Sequence, residues 1–317
     1  MAEPVLSVRD LCVDYLSPEG PVRAVDRVSL EVGRGEVVGV CGESGSGKST
    51  FAQALLRILP PPAVISGGEV LLEGQDLLGL DEEGLRRVRW TRISMVFQSA
   101  MDALNPVLSV REQLVDALQA HRPMGRREAG ERARELLALV HISGDRLDAF
   151  PHQLSGGMRQ RVGIALALAL DPALVILDEP TTALDVIVER EILDQLLELR
   201  RRLGFSVLFI SHDLARMLEI SDRVAVFYAA QLVEVGPAAA LRERPLHPYT
   251  QGLLRAFPRL DDGALGSIPG VPPNLRAPPA GCRFHPRCDQ RGEACAECSP
   301  QVRALGQERQ VACHKAP

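Results

Sequence analysis

A chain of 317 residues, 46% hydrophobic and 24% charged, can bury a sizeable core and exceeds the usual size of one domain, which predicts a large domain plus an appendage. Its formal net charge of −5 excludes a general nucleic-acid or anionic-membrane footprint. The start, Met1-Ala2-Glu3-Pro4, has neither the basic nor the apolar stretch of a signal peptide, and no apolar run is long enough for a membrane span, so the chain reads as soluble and cytoplasmic.

Residues 5–40 read as β structure. Leu6, Val8, Val13 and Tyr15 alternate irregularly, Ser17-Pro18-Glu19-Gly20 forms a turn, and a further strand at residues 28–32 precedes Gly33-Arg34-Gly35. Tyr15 has two readings from periodicity alone: an aromatic face stacked on an adenine ring, or a half-buried strand tyrosine.

The strand Val37-Val38-Gly39-Val40 then runs into Gly42-Glu43-Ser44-Gly45-Ser46-Gly47-Lys48-Ser49-Thr50, which fits G-x-x-x-x-G-K-[ST], and a helix-forming run over residues 51–59 follows. Strand, loop and helix in that order are the context the motif requires. Glycines let successive N–H groups turn toward phosphate oxygens, the helix adds the positive end of its dipole, Lys48 reaches the β/γ-phosphates and Ser49 ligates Mg²⁺. Of the 36 basic residues only Lys48 and Lys315 are lysines; arginine stands everywhere else, so lysine is kept where a compact ammonium must fit beneath a phosphate loop.

After Pro60-Pro61-Pro62, residues 67–74 read as a strand ending in a hairpin turn, and residues 93–97 as another strand with Gln98 at its carboxyl end. Ligands of open α/β sheets gather at such ends, making Gln98 a candidate for Mg²⁺ or for an attacking water. Residues 109–169 carry a helical pattern, with Val110, Leu114 and Leu118 on one face and Leu136, Leu137 and Val140 on another. Within it, Leu154-Ser155-Gly156-Gly157-Met158-Arg159-Gln160-Arg161 leads into an apolar helix, with Ser155 as its cap and an anion cradle at its start.

The apolar run from Ala173 to Leu177 ends in Asp178-Glu179-Pro180, the mark of a parallel strand buried on both faces with its functional end exposed. Asp178 is a Mg²⁺ ligand candidate and Glu179 stands one residue nearer a γ-phosphate. Leu184-Asp185 precede an amphipathic helix with Ile192, Leu193, Leu196, Leu199 and Leu203 on one stripe. The strand of residues 206–210 then delivers Ser211-His212-Asp213, where His212 can reach a γ-phosphate.

Taken in order, the phosphate loop, Gln98, LSGGMRQ, ILDEP, TTALD and His212 resemble the ATP-binding subunit of an ABC transporter. The resemblance covers residues 5–255 and implies an α/β P-loop NTPase core with an N-terminal antiparallel β subdomain, an inserted helical subdomain at about residues 99–170, and a Cys-rich C-terminal tail over residues 256–317. It makes Glu179 the catalytic glutamate, His212 the γ-phosphate sensor, Tyr15 the adenine-stacking aromatic and Asp185 the D-loop aspartate. It pairs Ser155, Gly156 and Gly157 with nucleotide on a second subunit. Met158 stands in place of the commoner glutamine, and Ser99-Ala100 in place of an acidic residue and proline. Met101-Asp102-Ala103-Leu104-Asn105-Pro106, His247-Pro248-Tyr249-Thr250 and Gly281-Cys282-Arg283-Phe284-His285-Pro286-Arg287-Cys288 resemble the dipeptide/oligopeptide/nickel importers. That branch implies two integral membrane permease subunits, met by residues 101–108, an extracytoplasmic solute-binding protein, a second ATPase subunit that is identical or a paralogue, a peripheral place at the cytoplasmic membrane face, and no nucleic acid. The competing readings are a soluble ABC-type ATPase acting on nucleic acid or ribosomes, which predicts tandem cassettes or a basic face, and a regulatory module with degenerate catalysis.

Five of the seven cysteines crowd into the last 36 residues, behind the proline-rich connector of residues 268–279. In a reducing compartment that crowding favours a metal or cluster over disulfides. Resemblance selects Cys282, Cys288, Cys295 and Cys313 and leaves Cys298 as extra. Four thiolates suit a [4Fe-4S] cluster, as in some family members, or zinc, and the site can equally stand partly empty or oxidised to a disulfide.

Overall fold

The computed structural model describes residues 3–98, 104–180, 185–256, 267–306 and 309–317. Its strands are β1 (Leu6–Tyr15), β2 (Val22–Val32), β3 (Val37–Cys41), β4 (Ala63–Leu72), β5 (Gln75–Asp76), β6 (Ile93–Val96), β7 (Leu174–Asp178), β8 (Ser206–Ser211), β9 (Arg223–Tyr228), β10 (Gln231–Pro237), β11 (Arg303–Ala304) and β12 (Gln310–Val311). Its principal helices are α1 (Lys48–Leu55), α2 (Glu82–Val88), α3 (Val110–His121), α4 (Arg126–Leu139), α5 (Gly156–Ala167), α6 (Val186–Leu203), α7 (Leu214–Ile220), α8 (Ala238–Glu243) and α9 (Pro248–Ala256). The chain divides into two compact units, one of Met1–Val5, Gly33–Glu36 and Gly79–Leu208, the other of Leu6–Val32, Val37–Leu78 and Phe209–Pro317.

The second unit holds the antiparallel sheet β2-β1-β4-β5. β1 pairs with β2 from Leu6↔Val32 onward and with β4 from Leu6↔Leu72 onward, so Leu6, Val8, Val70 and Leu72 fall on the buried side. The irregular alternation in β1 has a local cause. Its register shifts after Val8, Asp10 takes a φ of 44°, and the Asp10 N–H donates to Ser29 Oγ at 2.9 Å, the signature of a β-bulge. β4 starts at Ala63, directly after the prolines and earlier than the pattern suggests, because its first residues pair with the far end of β1 at Tyr15↔Ala63 and Asp14↔Val64.

In the same unit β3 pairs parallel with β9, Val38↔Arg223 through Cys41↔Val226, and β9 continues antiparallel to β10, which carries β12. Every residue of β3 is buried. Each buried valine there contributes about 1.5–3 kcal/mol of apolar burial, the driving force that sets the strand in a sheet interior and leaves only its carboxyl end free to bear the loop. The last strand also closes the C-terminal segment, where Val311, Cys313 and Ala316 pack with Leu246 and Leu305.

In the first unit β6 and β7 are parallel, from Ile93↔Leu174 to Val96↔Leu177, and all five residues of β7 are buried. The helical pattern of residues 109–169 is broken into α3, α4, two short 3-10 turns (Gly144–Asp148 and Pro151–Gln153) and α5. α3 opens with a capping box in which the Glu112 N–H donates to Ser109 Oγ at 3.2 Å and the Ser109 N–H to Glu112 Oε2 at 2.8 Å. α6 is capped at its start by Asp185, whose Oδ1 accepts from the Val188 N–H at 3.0 Å, and at its end by Gly204 in the left-handed region, behind Arg200, Arg201 and Arg202 in the last turn. Residues 101–103 and Leu184 lie outside the described residues; of the neighbouring segment, Leu104 is buried and Val107 is 75% exposed. Among the described residues no helix is long and apolar enough to cross a membrane.

Candidate functional site

In the second unit the phosphate loop follows β3 and ends at the first turn of α1, which begins at Lys48. Lys48 is 95% buried, and its ammonium donates to the carbonyls of Gly42 (2.7 Å) and Glu43 (3.0 Å) and to Ser46 Oγ (3.4 Å). A primary ammonium has three protons, so the loop offers its lysine a polar partner for each and holds the charge at its centre. The backbone makes this possible at two glycines: Gly42 at φ 150° and Gly47 at φ 104°, each with a backbone carbonyl oxygen where a Cβ would stand, that of Phe227 at 2.1 Å and of Ala24 at 2.2 Å. Tyr15, at the end of β1, is half-buried, and its hydroxyl lies 3.2 Å from Thr50 Oγ1. Gly45, Ser46 and Ser49 complete the loop, with the Ala230 N–H donating to the Ser46 carbonyl at 2.9 Å. His212 lies just beyond β8 and ahead of the Asp213 cap of α7, where the Arg216 N–H donates to Asp213 Oδ1 at 3.0 Å.

Glu43 is held on both sides. Its N–H donates to the Tyr249 hydroxyl at 2.9 Å, and its carboxylate receives Arg287 through two bonds, at 2.7 and 3.0 Å. Burial pushes the Tyr249 hydroxyl pKa upward, so it stays a neutral phenol. His247, two residues earlier, is fully buried and its pKa falls to about 3; its neutral ring accepts the Tyr249 backbone N–H at Nδ1 (3.1 Å), and the His247 backbone N–H donates to Glu234 Oε2 at 2.9 Å. The stretch 247–250 is thus a buried wedge behind the loop. In the sequence this stretch marks only the family branch and leaves its contact with Glu43 unseen; the one signal for that contact is a tyrosine buried in α9. Cys41, immediately before the loop, is buried with its thiol pushed up to about 12, an inert core residue.

In the first unit the structure brings Gln98 and Glu179 together: Gln98 Nε2 donates to Glu179 Oε2 at 3.0 Å. Asp178 closes β7 and is 97% buried. Glu179 takes a φ of 44°, a left-handed conformation that costs a non-glycine residue about 1–3 kcal/mol. Ser155 caps α5, its Oγ accepting from the Met158 N–H at 3.3 Å, and Gly156 and Gly157 are the first two residues of that helix. Asp185, by contrast, spends its carboxylate on the cap of α6.

The four family-selected cysteines lie in the second unit. Cys282 donates its N–H to the Cys295 carbonyl at 2.8 Å, and the Gly292 N–H lies 3.5 Å from Cys295 Sγ. Burial raises the Cys282 thiol to about 11, and repulsion from Cys295, Cys313 and Cys288 adds to it; Cys288 is raised by burial, with Cys313 and Cys295 again among the repelling groups. Cys298 is exposed and absent from both sets. Among the described residues no group of three or more His, Cys, Asp or Glu side chains is arranged to hold a metal ion.

Residues 25–182 match the family described as ABC transporter, and residues 233–295 the oligopeptide/dipeptide transporter C-terminal region. The chain is 44% identical over 314 residues to the dipeptide transport ATP-binding protein DppD of Caldanaerobacter subterraneus subsp. tengcongensis, covering 98% of this chain and 96% of that protein. It is 45% identical over 307 residues to a putative peptide import ATP-binding protein of Brucella abortus, covering 96% and 92%. Among solved structures it is similar to the ATP-binding cassette MJ0796 in a dimeric post-hydrolysis state with ADP and Pi (TM-score 0.66, 28% identity, 74% of this chain and 98% of that one). Loop, acid pair, capped glycine helix and both matches agree: the chain belongs to the ATP-binding subunits of ABC transporters, in the oligopeptide/dipeptide group.

Proposed function

We propose that this ATPase powers import of peptides or a related small solute through two membrane-spanning permease subunits, at the cytoplasmic membrane face, with an extracytoplasmic protein delivering the solute. The observation that carries the ATPase chemistry is the loop holding Lys48 by Gly42, Glu43 and Ser46. The dipeptide transport role of the DppD relatives supports a peptide as cargo. A nucleic-acid or ribosome-directed ATPase is disfavoured by the net charge of −5 and by those same relatives.

In this reading Lys48 and the loop N–H groups of residues 42–50 bind the phosphates, and Tyr15 stacks on adenine. Ser49, Gln98 and Asp178 are assigned to Mg²⁺, because hydroxyl, carboxamide and carboxylate oxygens are the hard donors that ion takes. Bound Mg²⁺ supplies charge neutralisation on the phosphates. Glu179 takes the proton of the attacking water, and His212 orients the γ-phosphate. Ser155, Gly156 and Gly157 contact nucleotide on a second ATPase subunit, and Asp185 lies at that junction. ATP then favours a closed pair and its hydrolysis removes the bridge, which couples chemistry to transport. We place the working division of the chain near residue 255, with the Cys-bearing extension after it.

With the full chain reconstituted beside its permeases and binding protein in vesicles, ATP turnover rises on addition of short peptides. Turnover that ignores peptides and responds instead to RNA or ribosomes would overturn the reading.

The four thiols Cys282, Cys288, Cys295 and Cys313 are further proposed to hold a [4Fe-4S] cluster. Support comes from the number and chemistry of the thiols, since four thiolates are the ligand set such a cluster takes, with zinc as the alternative occupant. Anaerobically purified protein is then brown, with the broad visible absorption of iron–sulfur charge transfer; colourless protein carrying stoichiometric zinc would reverse the assignment.

A further inference from the structure

The C-terminal extension reaches the phosphate loop through its arginines. Residues 282–288, Cys-Arg-Phe-His-Pro-Arg-Cys, insert three side chains inward. Arg287, 92% buried, makes two bonds to the Glu43 carboxylate, at 2.7 and 3.0 Å, donates from Nε to the Pro269 carbonyl at 2.8 Å, and lies over the Tyr228 ring with its carbon 5.8 Å from the centroid. Phe284 packs against Tyr228 (5.2 Å between ring centroids), Tyr249 (5.4 Å) and His247 (5.7 Å). Arg283 pairs with Asp26 at 2.6 Å and donates to the Ala229 carbonyl at 2.5 Å. Ala230, next in sequence, donates its N–H to the Ser46 carbonyl and accepts from the Asp26 N–H at 2.8 Å.

The loop is therefore gripped at two points by one short segment: at Glu43 directly, and at Ser46 through the β9–β10 turn. Neither grip follows from burying an appendage. A tail that needed only anchorage would be served by Phe284 and by the pairing of β12 with β10, whereas a buried bidentate arginine on a loop carboxylate costs desolvation that only fixed geometry recovers. Glu43 is also the residue whose carbonyl accepts from Lys48, so moving it moves the lysine.

We propose that Arg287 is a positioning residue for nucleotide binding: through Glu43 it sets the phosphate loop, and so makes ATP affinity depend on the cysteine-flanked segment that carries it. The inference rests on the reading of residues 42–50 as the ATP phosphate site.

The test measures ATP affinity of the full-length chain by titration with a fluorescent ATP analogue, counting only folded protein. Arg287→Gln weakens affinity by about tenfold or more, the size expected when two charge-assisted bonds are lost. Arg287→Lys, which keeps the charge but not the fork, falls between it and the parent. The exchanged pair Glu43→Arg with Arg287→Glu recovers affinity relative to either single change. Affinity within twofold of the parent in Arg287→Gln, or in Arg287→Lys should the glutamine variant not fold, overturns the proposal. So does loss of folded protein with unchanged affinity in what remains, since that is the mark of anchorage alone. Lys48→Ala, run in parallel, separates the two levels. If it too binds like the parent, the loop reading itself fails; if it loses binding while the Arg287 variants keep theirs, only the present inference fails.

Discussion

Glu179→Gln leaves ATP binding intact and lowers steady-state phosphate release by about 10²–10⁴-fold, the range in which a positioned general base contributes. The substitution changes one atom and no shape. Gln98 Nε2 donates to Glu179 Oε2 at 3.0 Å, and a carboxamide oxygen at that position still accepts it. The φ of 44° belongs to the backbone and survives the exchange. What is lost is the capacity to take a proton from water, because an amide is not basic near neutrality. The nucleotide phosphates are assigned to other residues, Lys48 and the loop amides, so binding is unaffected by this exchange. Rapid-quench measurement of phosphate alongside ATP titration checks both halves. Turnover within tenfold of the parent would remove Glu179 from the base role.

Several parts of this architecture are legible in the sequence because they are governed by local chemistry. A continuous apolar run can be neither a solvated strand nor a loop, and β7 is buried at all five positions as that run requires. The loop motif carries its glycines where the chain must turn against a neighbouring carbonyl. Ser155 as a cap is equally local, since a serine three residues ahead of an unsatisfied N–H is enough. Other features depend on contacts far apart in the chain and leave no periodic trace. The bulge at Asp10 is fixed by Ser29 on the next strand, so β1 reads only as imperfect alternation. The breaks after α4 lie where 3-10 turns replace helix over Gly144–Asp148 and Pro151–Gln153, inside a pattern whose apolar spacing stays helical. Arg287 and Glu43 are 244 positions apart, and neither residue type announces a partner. The contact emerges only when Phe284 and Tyr249 bring the two segments into one core.

The phosphate loop also supplies an internal comparison between two glycines. Gly47→Ala destabilises the protein by about 3 kcal/mol or more and removes ATP binding, while Gly45→Ala costs about 1–2 kcal/mol. Both residues have positive φ, 104° at Gly47 and 76° at Gly45, so both substitutions carry the left-handed penalty. They differ in what surrounds them. A Cβ at Gly47 would stand 2.2 Å from the Ala24 carbonyl oxygen and 3.6 Å from the Ala230 Cα, backbone atoms on two different strands and turns that cannot rotate away as a side chain can. A Cβ at Gly45 meets nothing within 4 Å. Relief of the clash at Gly47 must come from the loop itself, because β2 is pinned by its ladder to β1. Gly47 directly precedes Lys48, so that shift displaces the ammonium and the first turn of α1 together. Thermal melting of the two variants with and without ATP reads strain and clash separately. Strain alone lowers the Gly45→Ala midpoint and leaves its ATP-induced rise in place, whereas Gly47→Ala loses both. Equal midpoints in the two variants would mean that the Ala24 carbonyl gives way, and that Gly47 is required for its backbone angle only.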